Sequence, residues 1–209
     1  TKFFNHMNMS FKAIGFDYGG VIAGIPGPEF NKRVSSLLGV TQKTFHNVYF
    51  EFNHLVNNNI LSWKDFWKKV TEELGVSEKY DNLIKFIEEL PRHEINGKMV
   101  DLADKLRVGG YKVGLLSNND IATANRFRET GLTNHFDVVV VSAEIGYSKP
   151  HPKAFEIFLE RLGVTAAELI YIDDTERSLA NAKEIGFHPI FFTDYESLLH
   201  NLKSLGIKV

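Results

Sequence analysis

The sequence of 209 residues contains no cysteine, which excludes disulfide bonds, thiolate catalysis and cysteine-ligated metal sites. Long hydrophobic runs are missing as well. The uninterrupted apolar runs, such as residues 138–141, are far shorter than the roughly 20 residues that span a bilayer. The opening residues 1–10 have no apolar centre like that of a signal peptide. We therefore expect a cytoplasmic protein that has no membrane partner.

A strong excess of charge is also absent. The chain has 24 Lys and Arg against 26 Asp and Glu, which gives a formal net charge of -2, so nothing indicates a nucleic-acid partner. Hydrophobic residues make up 44% of the chain, enough for a packed core and too many for a disordered chain. The length suits one sizeable domain, or one domain that carries a smaller inserted one.

Five short apolar runs predict buried β-strands, at residues 11–17, 111–116, 136–141, 169–172 and 189–192. Amphipathic patterns between them predict helices at residues 97–108, 121–130, 152–162 and 176–185. Three glycines stand where helix C-caps belong: Gly131, Gly163 and Gly186. Alternation of strands and helices is typical of the α/β class, in which a parallel sheet has helices on both faces.

The interval between Asp17 and Tyr111 breaks this alternation, because it is much longer than the roughly 30 residues of a βαβ unit. The excess is mostly helical in pattern. We therefore predict an α/β core formed by residues 11–23 and 93–209, with a small helical domain inserted at residues 24–92.

Within the insertion, Ser62 is predicted to cap a helix, and Ser77 to cap another that runs to Leu90 and ends at Pro91. The first of these helices has large apolar residues at the spacing of one helix face: Trp63, Phe66, Trp67, Val70 and Leu74. We interpret this aromatic stripe as internal packing rather than as a ligand cage.

Polar residues follow four of the predicted elements, at Asp17, Ser117-Asn118, Lys149 and Asp173-Asp174. Residues just past the carboxyl ends of parallel strands line one crevice, where ligands bind. Two carboxylate sites without a histidine or cysteine cluster suit a hard cation such as Mg²⁺. A hydroxyl, an amide and an ammonium group suit the oxygens of a phosphoryl group.

Each of these positions also has a simpler interpretation. Ser117-Asn118 could cap the following helix, and Asp173-Asp174 could cap the helix that begins near Glu176. Asp17 could merely begin a turn, and Lys149 could be an exposed loop lysine. The occurrence of all four, in this order and next to strand ends, favours one shared site.

Four segments together resemble the four motifs of the haloacid dehalogenase superfamily, in the family's order: FDYGGV at residues 16–21, Leu116-Ser117-Asn118, Lys149-Pro150 and Ile172-Asp173-Asp174. The helical insertion stands where many members carry an α-helical cap. The resemblance covers the chain from about residue 11 onward. It implies a Rossmann-like α/β core with a small inserted helical cap, and a hydrolase acting on a small phosphorylated metabolite.

The resemblance also implies a role for each matching residue. Asp17 would attack phosphorus and form an aspartyl-phosphate, and Lys149 would neutralise charge on both the nucleophile and the phosphate. Ser117 and the backbone of Asn118 would hold phosphoryl oxygens.

Mg²⁺ is the cofactor that the resemblance implies. Asp17, Asp174 and the main-chain carbonyl of Gly19 would bind it, with Asp173 acting directly or through water. A cation of this kind would screen the carboxylate from the anionic phosphate that it attacks.

Gly19 departs from the commoner family pattern. Most phosphatases of the family have a second aspartate at this position, which protonates the leaving alcohol, and loss of such an acid costs about 10²–10⁴ in rate. Members with the variant DxGxV include bacterial phosphatases that act on glucose 1-phosphate. The likeness therefore implies a sugar phosphate, whose anomeric hydroxyl leaves readily.

Other functions remain open at this point. A 2-haloacid dehalogenase would also lack the second aspartate, but it needs no Mg²⁺, which the pair Asp173-Asp174 argues against. Phosphoryl isomerases of the family generally use the second aspartate. A binding or regulatory protein that has lost turnover would agree with Gly19. A receiver-type signalling domain is rejected, because its acidic pair comes early in the chain.

Overall fold

The computed structural model describes residues 11–24, 28–90 and 94–209. The opening residues 1–10 and Pro91, with the predictions made for them, lie outside this part of the chain. Five strands form the sheet: β1 (Ala13–Phe16), β2 (Lys112–Ser117), β3 (Val138–Val141), β4 (Leu169–Asp173) and β5 (His188–Phe191). All neighbouring strands are parallel, in the order β3-β2-β1-β4-β5. The predicted parallel sheet is therefore confirmed, with β1 at its centre.

The helices, in chain order, are α1 (Pro28–Leu38), α2 (Gln42–Asn57), α3 (Trp63–Glu73), α4 (Tyr80–Glu88), α5 (Gly97–Val108), α6 (Ile121–Glu129), α7 (Ser142–Ile145), α8 (Pro152–Leu162), α9 (Glu176–Leu179), α10 (Ala182–Ile185) and α11 (Tyr195–Ser204). Short 3₁₀ turns occupy Ser77–Lys79, Leu132–His135 and Ala166–Glu168. No helix among the described residues is long and apolar enough to cross a membrane.

The prediction of one helix at residues 176–185 is wrong, because α9 and α10 are separate there. Asn181 lies at the break, and its side-chain amide donates a hydrogen bond to the Pro150 carbonyl at 3.0 Å. That contact joins the break to the loop that carries Lys149. The glycines predicted as C-caps follow helices as expected, with φ of 76° at Gly131, 70° at Gly163 and 98° at Gly186.

Side chains of the central strands alternate between two hydrophobic clusters, one on each face of the sheet. In β4, Ile170 and Ile172 belong to one cluster, whereas Leu169 and Tyr171 belong to the other. The first cluster includes residues of α5, α6 and α11, and the second includes residues of α8 and α10. Helices therefore cover both faces, as the sequence pattern predicts for a parallel sheet.

The inserted helices α1 to α4 have a separate hydrophobic cluster of their own. Its buried members include Val34, Leu38, Phe45, Val70 and Leu83. The aromatic stripe of α3 packs within this cluster, with Phe66 and Trp67 buried and Trp63 partly buried, so internal packing is confirmed for it. The boundaries predicted at residues 24 and 92 stay predictions.

Only one of the two caps predicted in the insertion is present. The Ser62 hydroxyl accepts a hydrogen bond from the Asp65 N–H at 3.1 Å and donates one to the Asp65 carboxylate at 2.6 Å. The cap predicted at Ser77 is wrong, because Ser77 is the first residue of a 3₁₀ turn and α4 begins only at Tyr80.

The end of α2 is tied to the core by Ser142, a buried residue at the start of α7. The Ser142 hydroxyl donates to the Asn57 carbonyl at 2.6 Å and accepts from the Asn119 N–H at 3.1 Å. Because Asn119 lies just past β2, this contact holds α2 next to the carboxyl ends of the strands.

Candidate active site

The carboxyl ends of β1, β2 and β4 bring the sequence-predicted residues together. Asp17 directly follows β1, Ser117 is the last residue of β2 and Asp173 is the last residue of β4. The Asp17 N–H donates to the Ile172 carbonyl at 2.8 Å, which fixes Asp17 beside the end of β4. Because β1 lies between β2 and β4, the nucleophile candidate is the central residue of the crevice.

Lys149 lies at the centre of the polar contacts. Its ammonium group donates to Asp17 Oδ1 at 2.7 Å, to Asp173 Oδ2 at 2.6 Å and to the Tyr171 hydroxyl at 2.8 Å. Its side chain is only 1% exposed, so the interpretation as an exposed loop lysine is wrong. All three of its N–H groups are committed, and direct donation to a phosphoryl oxygen would require one of these bonds to be released.

Burial and charge act against each other in this cluster. Burial raises the pKa of Asp17 to about 6, with the Asp173 charge adding to the rise and Lys149 opposing it. For Lys149, burial alone would lower the pKa, but attraction to Asp17 and Asp173 outweighs it, so the pKa is raised. The lysine is therefore the permanent positive charge of the site, and it is hydrogen-bonded to both carboxylates.

Asn118 has a different role from the one that a helix cap would give it. Its side-chain amide donates to the Lys149 carbonyl at 2.9 Å and accepts from the Lys149 N–H at 2.7 Å. The residue that caps α6 is Asp120, whose carboxylate accepts from the Thr123 N–H at 2.8 Å, so the cap suggested for Ser117-Asn118 is wrong. Ser117 is fully buried instead, and its hydroxyl accepts from the Asn119 side chain at 2.7 Å.

The two acidic residues after β4 have different surroundings. Asp173 Oδ1 accepts from the N–H and the hydroxyl of Thr175 at 2.9 and 2.7 Å, while its Oδ2 is held by Lys149. The N-cap position of α9 is occupied by Thr175, directly before Glu176, so the suggestion that the acidic pair caps this helix is wrong. Asp174 is partly buried at the cavity wall, and burial, with the neighbouring Asp173 charge, raises its pKa.

These carboxylates form a group that fits a divalent cation. One oxygen each of Asp17, Asp173 and Asp174 lie within 4.8 Å of one another, and hard oxygen ligands are those that Mg²⁺ prefers. Gly20 leaves the room for Asp174, because a Cβ atom on Gly20 would stand 2.1 Å from Asp174 Oδ2. Gly20 also has a φ of 79°, in the left-handed region that favours glycine.

A cavity of about 630 Å³ opens above the carboxylates. The core side of its wall includes Asp17, Gly19, Lys149, Asp174 and Arg177. The opposite side is one face of α2, with residues at helical spacing: His46, Tyr49, Phe50, Asn53, His54 and Asn57. The two sides together enclose a space of the size that small-molecule ligands occupy.

Sequence reasoning missed two features of this site. The polar and aromatic face of α2 was visible as a spacing of three and four residues, beside the buried Phe45 and Val56. Tyr171 was also missed, although it is a hydroxyl-bearing residue in an apolar strand. It lies two positions before Asp173 and so shares a face with it.

The comparisons with known proteins agree with this geometry. The family model of the haloacid dehalogenase-like hydrolases matches residues 11–186. The chain belongs to the haloacid dehalogenase-like hydrolase family. This assignment confirms the resemblance drawn from the four motifs, and it makes the chain a member of a hydrolase family.

Two curated relatives of this family member have similar sequences. Acyl-CoA dehydrogenase family member 10 of Mus musculus is 25% identical over 209 residues, which cover 94% of this chain and 19% of the mouse protein. Glyceraldehyde 3-phosphate phosphatase of Pyrococcus abyssi is 24% identical over 171 residues, which cover 81% of this chain and 67% of that phosphatase. The chain thus spans about a fifth of the mouse relative, and phosphatases are among its homologues.

A solved structure has the same fold as this haloacid dehalogenase-like hydrolase. It is a haloacid dehalogenase family enzyme of Bacteroides thetaiotaomicron in complex with magnesium and inorganic phosphate, with a TM-score of 0.68 and 20% sequence identity. The match covers 90% of this chain and 99% of that one. The predicted α/β class with a Rossmann-like core is therefore confirmed.

Proposed function

We propose that this hydrolase is a Mg²⁺-dependent phosphatase that cleaves a small sugar phosphate through an aspartyl-phosphate at Asp17. The observation that carries the proposal is the position of Asp17. Its carboxylate is bound by the buried ammonium of Lys149, lies next to two further carboxylates and opens into a cavity. A nucleophile, a fixed positive charge and a cation-binding group are the parts that phosphoryl transfer from a monoester requires.

The cation would be held by Asp17, Asp174 and the carbonyl of Gly19, and it would supply neutralisation of the phosphate charge. Asp173 has both of its oxygens in hydrogen bonds, so it would contribute through water rather than directly. Asp174 faces the cavity, and the raised pKa of its carboxyl reflects burial and a neighbouring charge that a bound cation would offset.

The bond changes follow from these positions. A carboxylate oxygen of Asp17 forms a bond to phosphorus, while the bond between phosphorus and the ester oxygen breaks. The leaving oxygen keeps the electron pair and takes a proton from water. In the second half, water attacks phosphorus and loses a proton to solvent, while the bond between phosphorus and the Asp17 oxygen breaks. Inorganic phosphate leaves, and the electron pair of the broken bond restores the Asp17 carboxylate. Lys149 stays protonated and bound to Asp17 throughout, so it balances the charge.

The face of α2 supports a sugar as the leaving group. Asn53 and Asn57 offer side-chain amides that can both donate to and accept from hydroxyl groups. Tyr49 and Phe50 add aromatic surface, which packs against the apolar side of a small ring. Similarity to a glyceraldehyde 3-phosphate phosphatase agrees with a small phosphorylated substrate.

One observation favours a second candidate, a binding or regulatory protein that no longer turns over. Gly19 lines the cavity and provides no side chain that could protonate a leaving group. The same position would agree with a 2-haloacid dehalogenase, but that reaction gives no reason for the acidic group around Asp174.

A screen of phosphorylated metabolites, with and without Mg²⁺, tests the proposal. We expect release of inorganic phosphate from sugar phosphates with Mg²⁺ and none after chelation with EDTA. Asp17→Asn serves as the control for contaminating phosphatases. Full activity in EDTA would contradict the metal site and favour dehalogenation, which halide release from 2-haloacids would reveal. Binding of sugar phosphates without any turnover would favour the binding protein.

A further inference from the structure

We propose that Tyr171 is a positioning residue that holds the Lys149 ammonium between Asp17 and Asp173; the inference rests on the proposed function. The Tyr171 hydroxyl accepts a hydrogen bond from Lys149 Nζ at 2.8 Å and donates one to the Leu116 carbonyl at 2.9 Å. It therefore connects the lysine to the end of β2, one residue before Ser117. Tyr171 does not line the cavity, so its effect on the reaction passes through Lys149.

The Tyr171 ring is held rigidly by aromatic neighbours. The rings of Phe155, Phe158 and Phe187 meet it edge to face, with centroids 5.2, 6.1 and 5.8 Å away. Glycine in β1 leaves the space, because a Cβ atom on Gly15 would lie 2.7 Å from the Tyr171 ring. The hydroxyl of a fully buried tyrosine packed in this way has little freedom to move away from the lysine.

The number of protons on the Tyr171 hydroxyl and on the Lys149 ammonium shows that Tyr171 is a hydrogen-bond acceptor for the lysine. A tyrosine hydroxyl has one proton, and the Leu116 carbonyl accepts it, so towards Lys149 the hydroxyl can only accept. An ammonium group has three protons, and Asp17, Asp173 and Tyr171 are three acceptors. Tyr171 thus completes the set that lets the lysine bridge both carboxylates.

Removal of the hydroxyl leaves one N–H of Lys149 without its acceptor in a side chain that is 1% exposed. A buried donor without an acceptor is strongly unfavourable. The ammonium can recover an acceptor by turning towards the water in the cavity, and it then gives up Asp17 or Asp173. Either change moves the ammonium away from the position in which it orients Asp17 for attack, whereas the α2 face that would bind the sugar stays unchanged.

The experiment compares Tyr171→Phe with the parent and with Thr71→Val. Thr71 is a matched control, because its buried hydroxyl also donates to backbone carbonyls, those of Trp67 and Lys68, within the inserted helices. With saturating Mg²⁺ and a sugar phosphate, we expect kcat of Tyr171→Phe to fall about tenfold with KM changed less than about twofold. Thr71→Val should keep the kcat and KM of the parent, although both variants should have a lower melting temperature than the parent.

A crystal structure of Tyr171→Phe gives a readout that does not depend on turnover. We expect Lys149 Nζ to leave its bridging position and lose one of its two carboxylate contacts. A lysine still bonded to both Asp17 and Asp173, together with parental kcat, would overturn the inference. If the parent hydrolyses no phosphate ester, the proposed function fails, and the position of Lys149 in the variant still decides the role of Tyr171.

Discussion

Replacement of Lys149 by methionine should destabilise the protein strongly, because it leaves two buried carboxylates facing each other. Asp17 and Asp173 have side-chain exposures of 13% and 0%, and both are bonded to the lysine ammonium. Breaking a buried ion pair by removing one partner costs about 3–5 kcal/mol of unfolding free energy. We expect Lys149→Met to lose an amount in this range at pH 8, and to lose all turnover.

The loss of unfolding free energy in Lys149→Met should be smaller at acidic pH, and the reason is the raised pKa of Asp17. Its pKa is raised to about 6 by burial even with Lys149 present, and removal of the lysine raises that pKa further. A carboxyl group whose folded pKa lies above its unfolded value of 3.8 destabilises the fold fully above the folded pKa. As the pH falls from 8 to 5, the folded variant takes up a proton at Asp17, so the penalty decreases.

Urea denaturation at pH 8 and pH 5 measures both effects, with Lys153→Met as the matched control. Lys153 also contacts a carboxylate, Glu156, at 2.9 Å, but both side chains are exposed, so its replacement should leave the stability nearly unchanged at either pH. Adding Asp173→Asn to Lys149→Met should restore part of the stability at pH 8. If Lys149→Met is no more destabilising than Lys153→Met at pH 8, the electrostatic account of the site is wrong.

Three further predictions concern the loop after β1 and its contact with Asp174. Asp17→Asn should abolish turnover without loss of thermal stability, because burial already disfavours the Asp17 charge, and beryllium fluoride should bind the parent only. Since Gly19 supplies no acid, aryl and anomeric phosphates should be cleaved far faster than primary alkyl phosphates. Equal cleavage rates across a series of graded leaving groups would contradict this. Gly19→Asp should make the cleavage rate depend less on the basicity of the leaving group. Gly20→Ala should weaken Mg²⁺ activation by displacing Asp174. Gly206→Ala is the control, because Gly206 has a similar φ of 80° but no atom within 4 Å of an added Cβ, so it should lower only the melting temperature.

The carboxylates of the crevice could be predicted from the sequence because they lie at or just past the ends of strands. Asp17 and Asp173 each end an apolar run, and parallel strands place their carboxyl ends at one edge of the sheet. No knowledge of side-chain contacts was needed for that step. The strand positions themselves were readable because buried parallel strands are continuous apolar runs, as in Val138–Val141.

The local roles after β2 could not be predicted in the same way. Ser117, Asn118, Asn119 and Asp120 follow one another, and every one of them is a residue type that caps helices. The local sequence therefore does not indicate which of the four residues caps α6. The choice is made by contacts distant in sequence, above all the two hydrogen bonds between Asn118 and the backbone of Lys149. Asp120 is then the residue left to cap α6.

The orientation of α2 depends on a contact of the same kind. Its sequence specifies an amphipathic helix, in which Phe45 and Val56 pack on the inserted cluster, and a polar face would ordinarily be expected to meet solvent. The bond from Ser142 to the Asn57 carbonyl turns that face over the carboxylates instead. Because it joins residues 85 positions apart, no helical periodicity could indicate it. The proposed sugar-binding face and the carboxylate cluster are thus specified differently, the first by a contact between residues distant in sequence and the second by the positions of the strand ends.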